Sequence, residues 1–319
     1  MNEIMVSICC IAYNQESYIR QTIESFLMQE AKFKYEILIH DDASTDATPL
    51  IIKEYQEKYP HLIKPIYQTE NQYSKGISVL ALNMKRALGK YIAICEGDDF
   101  WIDPYKLQKQ VEYLESNPDC TLITHAAIMV NHNGHKLRRK IQPYTESRVC
   151  NVRDIIMGDG GFFSTNSMMF KSELGKSLPA FYFGLPVGDY PLTIFLSLNG
   201  QVYYINEELS AYRIVAKGSL SATNLFNKER AIQVLVKINK MLDEADAYSN
   251  ERFTDYFKEM KVKRTFYYLL EYDGRAIKNN EECKRFYDKL SRKEQLKSNL
   301  KCNLPVIYRI YKKHFMGWV

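Results

Sequence analysis

Short apolar runs alternate with helical periodicities through the first hundred residues, and few folds accommodate that pattern. Residues 6–13 read Val-Ser-Ile-Cys-Cys-Ile-Ala-Tyr, almost continuously apolar and β-branched, as a strand buried on both faces of a parallel sheet must be. Residues 17–28 then place Tyr18, Ile19, Ile23, Phe26 and Leu27 at helical spacing. The strand pattern returns at 35–40, 62–67 and 91–95, with helices expected over 48–59, stopped by Pro60, and over 77–88, ending at Gly89. This alternation predicts an α/β fold built on an open sheet flanked by helices.

The pattern changes after residue 100. Asp103-Pro104 reads as an N-cap carboxylate with proline at the first helical position, opening a helix to Glu115. Residues 120–130 read as a strand, and Asn133-Gly134 as a type I′ hairpin turn, so antiparallel elements make the sheet mixed. A helix over 188–198, with one apolar face, precedes a strand over 202–205. From about residue 225 the chain reads as helical throughout. The expected organisation is a catalytic domain over 1–224 and a helical C-terminal region over 225–319.

Charge and cysteine usage narrow the function classes. Net charge is +5, but residues 275–319 alone hold twelve Lys and Arg against four Asp and Glu, so the basic character belongs to the tail. No nucleic-acid recognition motif accompanies it, and no nucleic-acid partner is expected. Seven cysteines, an odd number with no C-x-x-C pair, read as reduced thiols of a cytoplasmic protein. The amino terminus lacks the basic and long apolar regions of a signal peptide. Leu304, Ile307, Tyr308, Tyr311 and Phe315 recur at helical spacing opposite Arg309, Lys312 and Lys313. Such a basic amphipathic helix can rest peripherally on the cytoplasmic face of a membrane or cover the catalytic domain.

Ligands of an open α/β sheet bind at the carboxyl ends of the strands, and here those ends are acidic. The first strand delivers Tyr13-Asn14-Gln15-Glu16, the second Asp41-Asp42-Ala43-Ser44-Thr45-Asp46, and the fourth Glu96-Gly97-Asp98-Asp99. Neither G-x-G-x-x-G nor G-x-x-x-x-G-K-[ST] occurs, which excludes the dinucleotide oxidoreductase and P-loop readings. Carboxylates gathered at one edge imply a hard divalent cation, Mg²⁺ or Mn²⁺, whose shell substrate phosphates complete; a nucleoside diphosphate is the natural partner. Helix capping is the competing reading for Asp41, Asp42 and Asp46. His125, His132 and His135 lack the quartet spacing of a zinc site.

Residues 6–14, then Asp41-Asp42-Ala43-Ser44-Thr45-Asp46-Ala47-Thr48, then Gly89 to Trp101 with Glu96-Gly97-Asp98-Asp99, together resemble the successive signatures of the family 2 glycosyltransferases, which have the GT-A fold. The resemblance covers roughly residues 4–220. It implies an inverting enzyme that moves one sugar from a nucleoside diphosphate sugar, with uridine the leading base, to a saccharide or lipid-linked saccharide acceptor in cell-surface polysaccharide or lipid-linked oligosaccharide synthesis. By the same resemblance Tyr13, Asn14 and Glu16 line the donor pocket, Asp42 accepts from the uracil ring, and Ser44 and Asp46 shape that loop. Glu96-Gly97-Asp98-Asp99 matches the family's D-x-D-D segment with Glu in first place; Asp98 and Asp99 divide the metal and ribose contacts. Val187-Gly188-Asp189-Tyr190 matches the pair carrying the catalytic base, which makes Asp189 the candidate. Trp101, Asn166 and Ser167 fall on the acceptor side. Tyr212-Arg213 and the Lys217-Gly218-Ser219 that follows resemble the loop closing over the diphosphate, with Arg213 and Lys217 offsetting phosphate charge, although Val215-Ala216 stands where the family's histidine is familiar. Two alternatives remain open here: a sugar-nucleotide pyrophosphorylase, and an inactive nucleotide-sugar-binding scaffold.

Overall fold

The computed structural model of the chain describes residues 3–214 and 228–303. Lys217 and the basic amphipathic helix expected over 304–319 lie outside the described residues. The chain divides into two compact units, residues 1–223 and 224–319.

In the first unit β1 (Ile4–Ala12), α1 (Ile19–Leu27), β2 (Lys34–Asp41), α2 (Thr48–Lys58), β3 (Ile66–Tyr67), α3 (Val79–Lys85) and β4 (Tyr91–Glu96) follow the expected alternation. β1 pairs in parallel with β2 and β4 on its two sides. Val6, Ile8, Cys9 and Cys10 are fully buried, which is why this strand shows so little polar alternation. The parallel register sets Ala12 opposite Asp41 and Ile11 opposite Glu96, so the loops after all three strands open along one edge. Gly89 enables the close approach behind β4. A Cβ there would lie 2.6 Å from the Ser7 backbone nitrogen, and the Gly89 N–H donates to Ser7 Oγ at 2.8 Å.

The unit continues with β5 (Phe100–Trp101), α4 (Lys106–Ser116), β6 (Cys120–Val130), β7 (Lys136–Ile141), β8 (Arg148–Val149), α5 (Val152–Gly158), β9 (Met169–Lys171), α6 (Ser172–Lys176), α7 (Asp189–Leu198) and β10 (Gln201–Arg213). Among the described residues these strands make one mixed sheet in the order β3-β2-β1-β4-β9-β6-β10-β5, with β7 on β6 and β8 on β10. The short β9 runs antiparallel to both β4 and β6 and joins the parallel half to the rest.

Four local expectations need correction. α4 begins at Lys106, and Asp103 closes a turn ahead of it, accepting from the Tyr105 N–H and pairing with Lys109. In the β6–β7 hairpin only Gly134 has a positive φ, where a type I′ turn requires two; Asn131 closes a three-residue loop by accepting from the N–H groups of Asn133 and His135. β10 runs thirteen residues rather than four, because register shifts between Ile205 and Glu208 and between Glu208 and Ser210 carry the pairing past the polar Asn206-Glu207-Glu208. α7 is buried on every side from Tyr190 to Leu198, not along one face. Thr193 and Ser197 satisfy their hydroxyls within it, on the carbonyls of Asp189 and Ile194.

The second unit is helical among the described residues: α8 (Lys228–Tyr248), α9 (Thr254–Tyr272), α10 (Glu281–Lys289) and α11 (Arg292–Asn303). Phe266, Leu270 and Cys283 form one buried cluster within it, and Asn280 caps α10 by accepting from the Cys283 N–H. No described helix is long and apolar enough to cross a membrane.

Candidate active site

The loops after β1 and β2 are laced together by the polar residues that the sequence places there. Asn14 adopts a left-handed φ of 52°; its N–H donates to Ser44 Oγ at 2.9 Å and its Oδ1 accepts from the Thr45 N–H at 2.7 Å. Two bonds tie the loops in opposite directions: the Glu16 N–H donates to Asp46 Oδ2 at 3.0 Å, and the Ala47 N–H donates to Glu16 Oε2 at 2.9 Å. Asp46 Oδ1 also accepts from the Thr48 N–H, so this residue caps α2 and bridges the two loops at once. Tyr13, beside them, is 47% exposed and offers an open aromatic surface.

Asp42 is buried at the end of β2. Its two carboxylate oxygens accept from the N–H groups of Gln72 and Tyr73 at 2.8 and 3.0 Å, which fastens the segment between β3 and α3 to the strand edge. Each oxygen retains a second lone pair for a ligand donor.

After β4 the carboxylates separate by environment. Asp99 is 1% exposed; its Oδ1 accepts from the Arg213 N–H at 2.7 Å and its Oδ2 from Asn166 Nδ2 at 2.8 Å. Asn166 Nδ2 also donates to the Ala211 carbonyl at 3.0 Å, and its Oδ1 accepts from Ser164 Oγ at 2.8 Å and Ser210 Oγ at 2.6 Å. Trp101 Nε1 donates to the Asn166 carbonyl at 2.9 Å. Asp99 therefore ties the end of β4 to the end of β10. Asp98 and Glu96 are partly exposed. Burial raises the Asp98 pKa, and burial followed by the charges of Asp98 and Asp189 pushes Glu96 up to about 8.

The Arg213 guanidinium, beside these carboxylates, is already engaged. Its Nε donates to the Asp98 carbonyl at 2.8 Å, Nη1 to the carbonyls of Asn131 and His132, and Nη2 to Gln21 Oε1 at 2.8 Å, with the Tyr18 ring 4.5 Å away. Among the described residues, no three His, Cys, Asp or Glu side chains cluster to enclose a metal ion. The donor set present is one open carboxylate, Asp98, beside a second, Glu96. That set fits Mg²⁺ or Mn²⁺, which take one or two carboxylates and complete their shells with phosphates and water.

Asp189 opens α7. Its Oδ1 accepts from the Tyr190 N–H at 2.8 Å, and burial, with a contribution from Asp159, pushes its pKa up to about 6. Gly160 stands against it, where a Cβ would lie 3.3 Å from Asp189 Oδ2. The carboxylate lines a cleft of about 430 Å³ whose walls include Phe162, Phe163 and Tyr212, with Arg139 and Lys140 of β7.

Trp101, Asn166 and Ser167, expected on the acceptor side, are 1%, 0% and 0% exposed, with Asn166 bonded to Asp99 and Trp101 to the Asn166 carbonyl. Sequence reasoning missed Ser210, which arrives through the pairing of β10 with β5 and β6, and Gln21 of α1, which meets the site through Arg213; neither carries a local signal. It also missed Arg139 and Lys140, although four cations within the six residues of β7 were visible.

The sequence model of Glycosyl transferase family 2 matches residues 7–174. The uncharacterized protein Rv1520 of Mycobacterium tuberculosis is 37% identical over 221 residues, 67% of this chain and 60% of that protein. This chain thus spans less than two thirds of that relative's length. An Escherichia coli protein named UDP-Glc:alpha-D-GlcNAc-diphosphoundecaprenol beta-1,3-glucosyltransferase WfaP is 37% identical over 113 residues, 35% of this chain and 42% of that protein. The crystal structure of residues 1–349 of S. aureus TarS with UDP-GlcNAc is similar in fold, with a TM-score of 0.61 at 17% identity over 92% of this chain and 78% of that one.

Proposed function

The chain belongs to glycosyl transferase family 2, and from that premise we propose that it transfers one sugar from a UDP-sugar to an acceptor hydroxyl with inversion at the anomeric carbon. It is a glycosyltransferase with an α/β fold of the GT-A kind. Membership sets aside the pyrophosphorylase, and turnover in a transfer assay separates the enzyme from an inactive scaffold.

The observation that carries the reading is the placement of Asp189, a carboxylate with a pKa of about 6, in a cleft close enough to the β4 edge for its charge to act on Glu96. In the proposed reaction Asp189 accepts the proton of the acceptor hydroxyl as its oxygen attacks the anomeric carbon from the face opposite the departing UDP. The loops of Tyr13, Asn14 and Ser44 hold the nucleoside, and Asp42 receives the base. A divalent cation held by Asp98, when bound, compensates the charge that develops on the leaving diphosphate. Asp99 and Arg213 act behind it, holding Asp98 to the end of β10, and Lys217 supplies a phosphate contact. The acceptor is a saccharide or lipid-linked saccharide of a cell-surface polymer, as the names of relatives suggest.

Calorimetric titration with UDP, GDP and dTDP in the presence of Mn²⁺ tests the donor assignment. UDP is expected to bind tightest. A preference for GDP or dTDP would move the donor to another base.

A further inference from the structure

Lys106, the first residue of α4, is fully buried, and no carboxylate pairs with it among the described residues. A leucine or methionine would fill such a place without taking an amine out of water. Two groups grip the amine. Nζ lies 4.0 Å from the centroid of the Trp101 ring and donates to Gln110 Oε1 at 2.7 Å, one turn along the helix. These two residues then bond to consecutive residues of the turn before β9: Trp101 Nε1 donates to the Asn166 carbonyl at 2.9 Å, and Gln110 Nε2 to the Ser167 carbonyl at 2.8 Å. Asn166 in turn donates to Asp99 Oδ2. The contacts run from a buried amine to the acidic edge without a gap.

We propose that Lys106 is a positioning residue for the donor edge, its amine bracing through Trp101 and Gln110 the turn that presents Asn166 to Asp99. This rests on the reading of that edge as the donor site and adds a residue to it. A cation over the indole face draws electron density from the ring and strengthens Nε1–H as a donor; a cation on Oε1 polarises the Gln110 amide and does the same for Nε2. Charge on Lys106 therefore tightens both bonds to the turn. Burial pushes its pKa down to about 7. The neighbouring titratable groups stay neutral there: burial lifts the Cys95 thiol of β4 well above its ordinary range, and burial with the Lys106 charge holds His125 of β6 well below its own.

The test compares the native full chain with Lys106→Met, which keeps most of the stem and removes the amine, by calorimetric titration with UDP and Mg²⁺ at pH 6 and pH 9 and by denaturant unfolding. At pH 6 the variant is expected to bind UDP about three- to tenfold more weakly, and at pH 9, where the native amine is neutral, to bind closer to the native chain. Stability moves the other way. The unfolded lysine keeps its proton to about pH 10.4 and the folded one releases it at about 7, so the native unfolding midpoint rises relative to the variant's between pH 7 and pH 10. Weaker donor binding in a variant no less stable at pH 6 is a result that lost packing does not produce. Equal UDP affinity at pH 6, or a deficit of the same size at both pH values, overturns the proposal and leaves Lys106 as core filling. Should the variant not fold, the Trp101 indole N–H resonance of the native chain carries the test: it is expected to shift as pH passes through about 7, and a resonance unmoved from pH 6 to pH 9 overturns the proposal. Failure of the native chain to bind UDP with Mg²⁺ contradicts the transferase reading instead.

Discussion

Asp189→Asn lowers the rate of sugar transfer by about 10²–10⁴-fold, the range that a positioned general base contributes, and leaves UDP affinity unchanged. The amide keeps the shape of the carboxylate and its acceptor contact with the Tyr190 N–H, so α7 remains in place. Only the capacity to take a proton is lost. The native enzyme also has a directional pH profile. A base must be ionised, and burial holds Asp189 at a pKa of about 6, so the rate climbs as pH rises through 6 and levels off above it. A profile flat from pH 5 to pH 8, or full activity in the variant, removes Asp189 from the reaction.

Asn166→Leu has the largest expected effect on stability. The substitution keeps the branched outline in a somewhat bulkier side chain but deletes an amide that satisfies the Asp99 carboxylate, the Ala211 carbonyl and the hydroxyls of Ser164 and Ser210, all within a buried site. Each orphaned group costs roughly 1–3 kcal/mol, and partial relaxation makes the sum smaller than the parts, so a loss of at least about 3 kcal/mol is expected in denaturant unfolding. Metal-supported UDP binding weakens with it, since Asp99 no longer fixes the β4 turn against β10. A variant as stable as the native chain would show that this network is replaceable.

The two predictions differ in how far sequence alone reaches. The strand-end acids were legible because β1, β2 and β4 are apolar runs that stop abruptly, and the parallel register of Ala12 with Asp41 and Ile11 with Glu96 brings their ends together. Asp189 became a candidate only through the resemblance of Val187-Gly188-Asp189-Tyr190 to the family's pair, and the fold places it at the start of α7. The role of Asn166 was not. Its partners come from β4, the segment before β9, and β10, and no local spacing reports such a meeting. β10 itself was misjudged because shifts of register around Glu208 break the alternation on which strand reading depends. Residue type does not distinguish Asp98 from Asp99, whereas the fold does: both Asp99 oxygens accept hydrogen bonds in a buried site and Asp98 stays partly exposed, which supports Asp98 as the proposed metal ligand.

Arg213 shows the same limit from the other direction. The family resemblance suggests a phosphate contact, and in the fold its guanidinium donates to the Asp98 carbonyl, the β6–β7 hairpin and Gln21. A residue type suited to phosphate is equally suited to gathering carbonyls, and only the tertiary arrangement distinguishes the two.

The central claim is that the acidic edge of the sheet holds a nucleoside diphosphate through a divalent cation at Asp98. It is tested most directly by calorimetric titration of UDP with Mn²⁺ and again with chelator, for the native chain and for Asp98→Ala. The account predicts UDP binding that requires Mn²⁺ in the native chain and is lost in the variant, with both proteins equally folded by circular dichroism. UDP binding indifferent to Mn²⁺, or undiminished in Asp98→Ala, would contradict it.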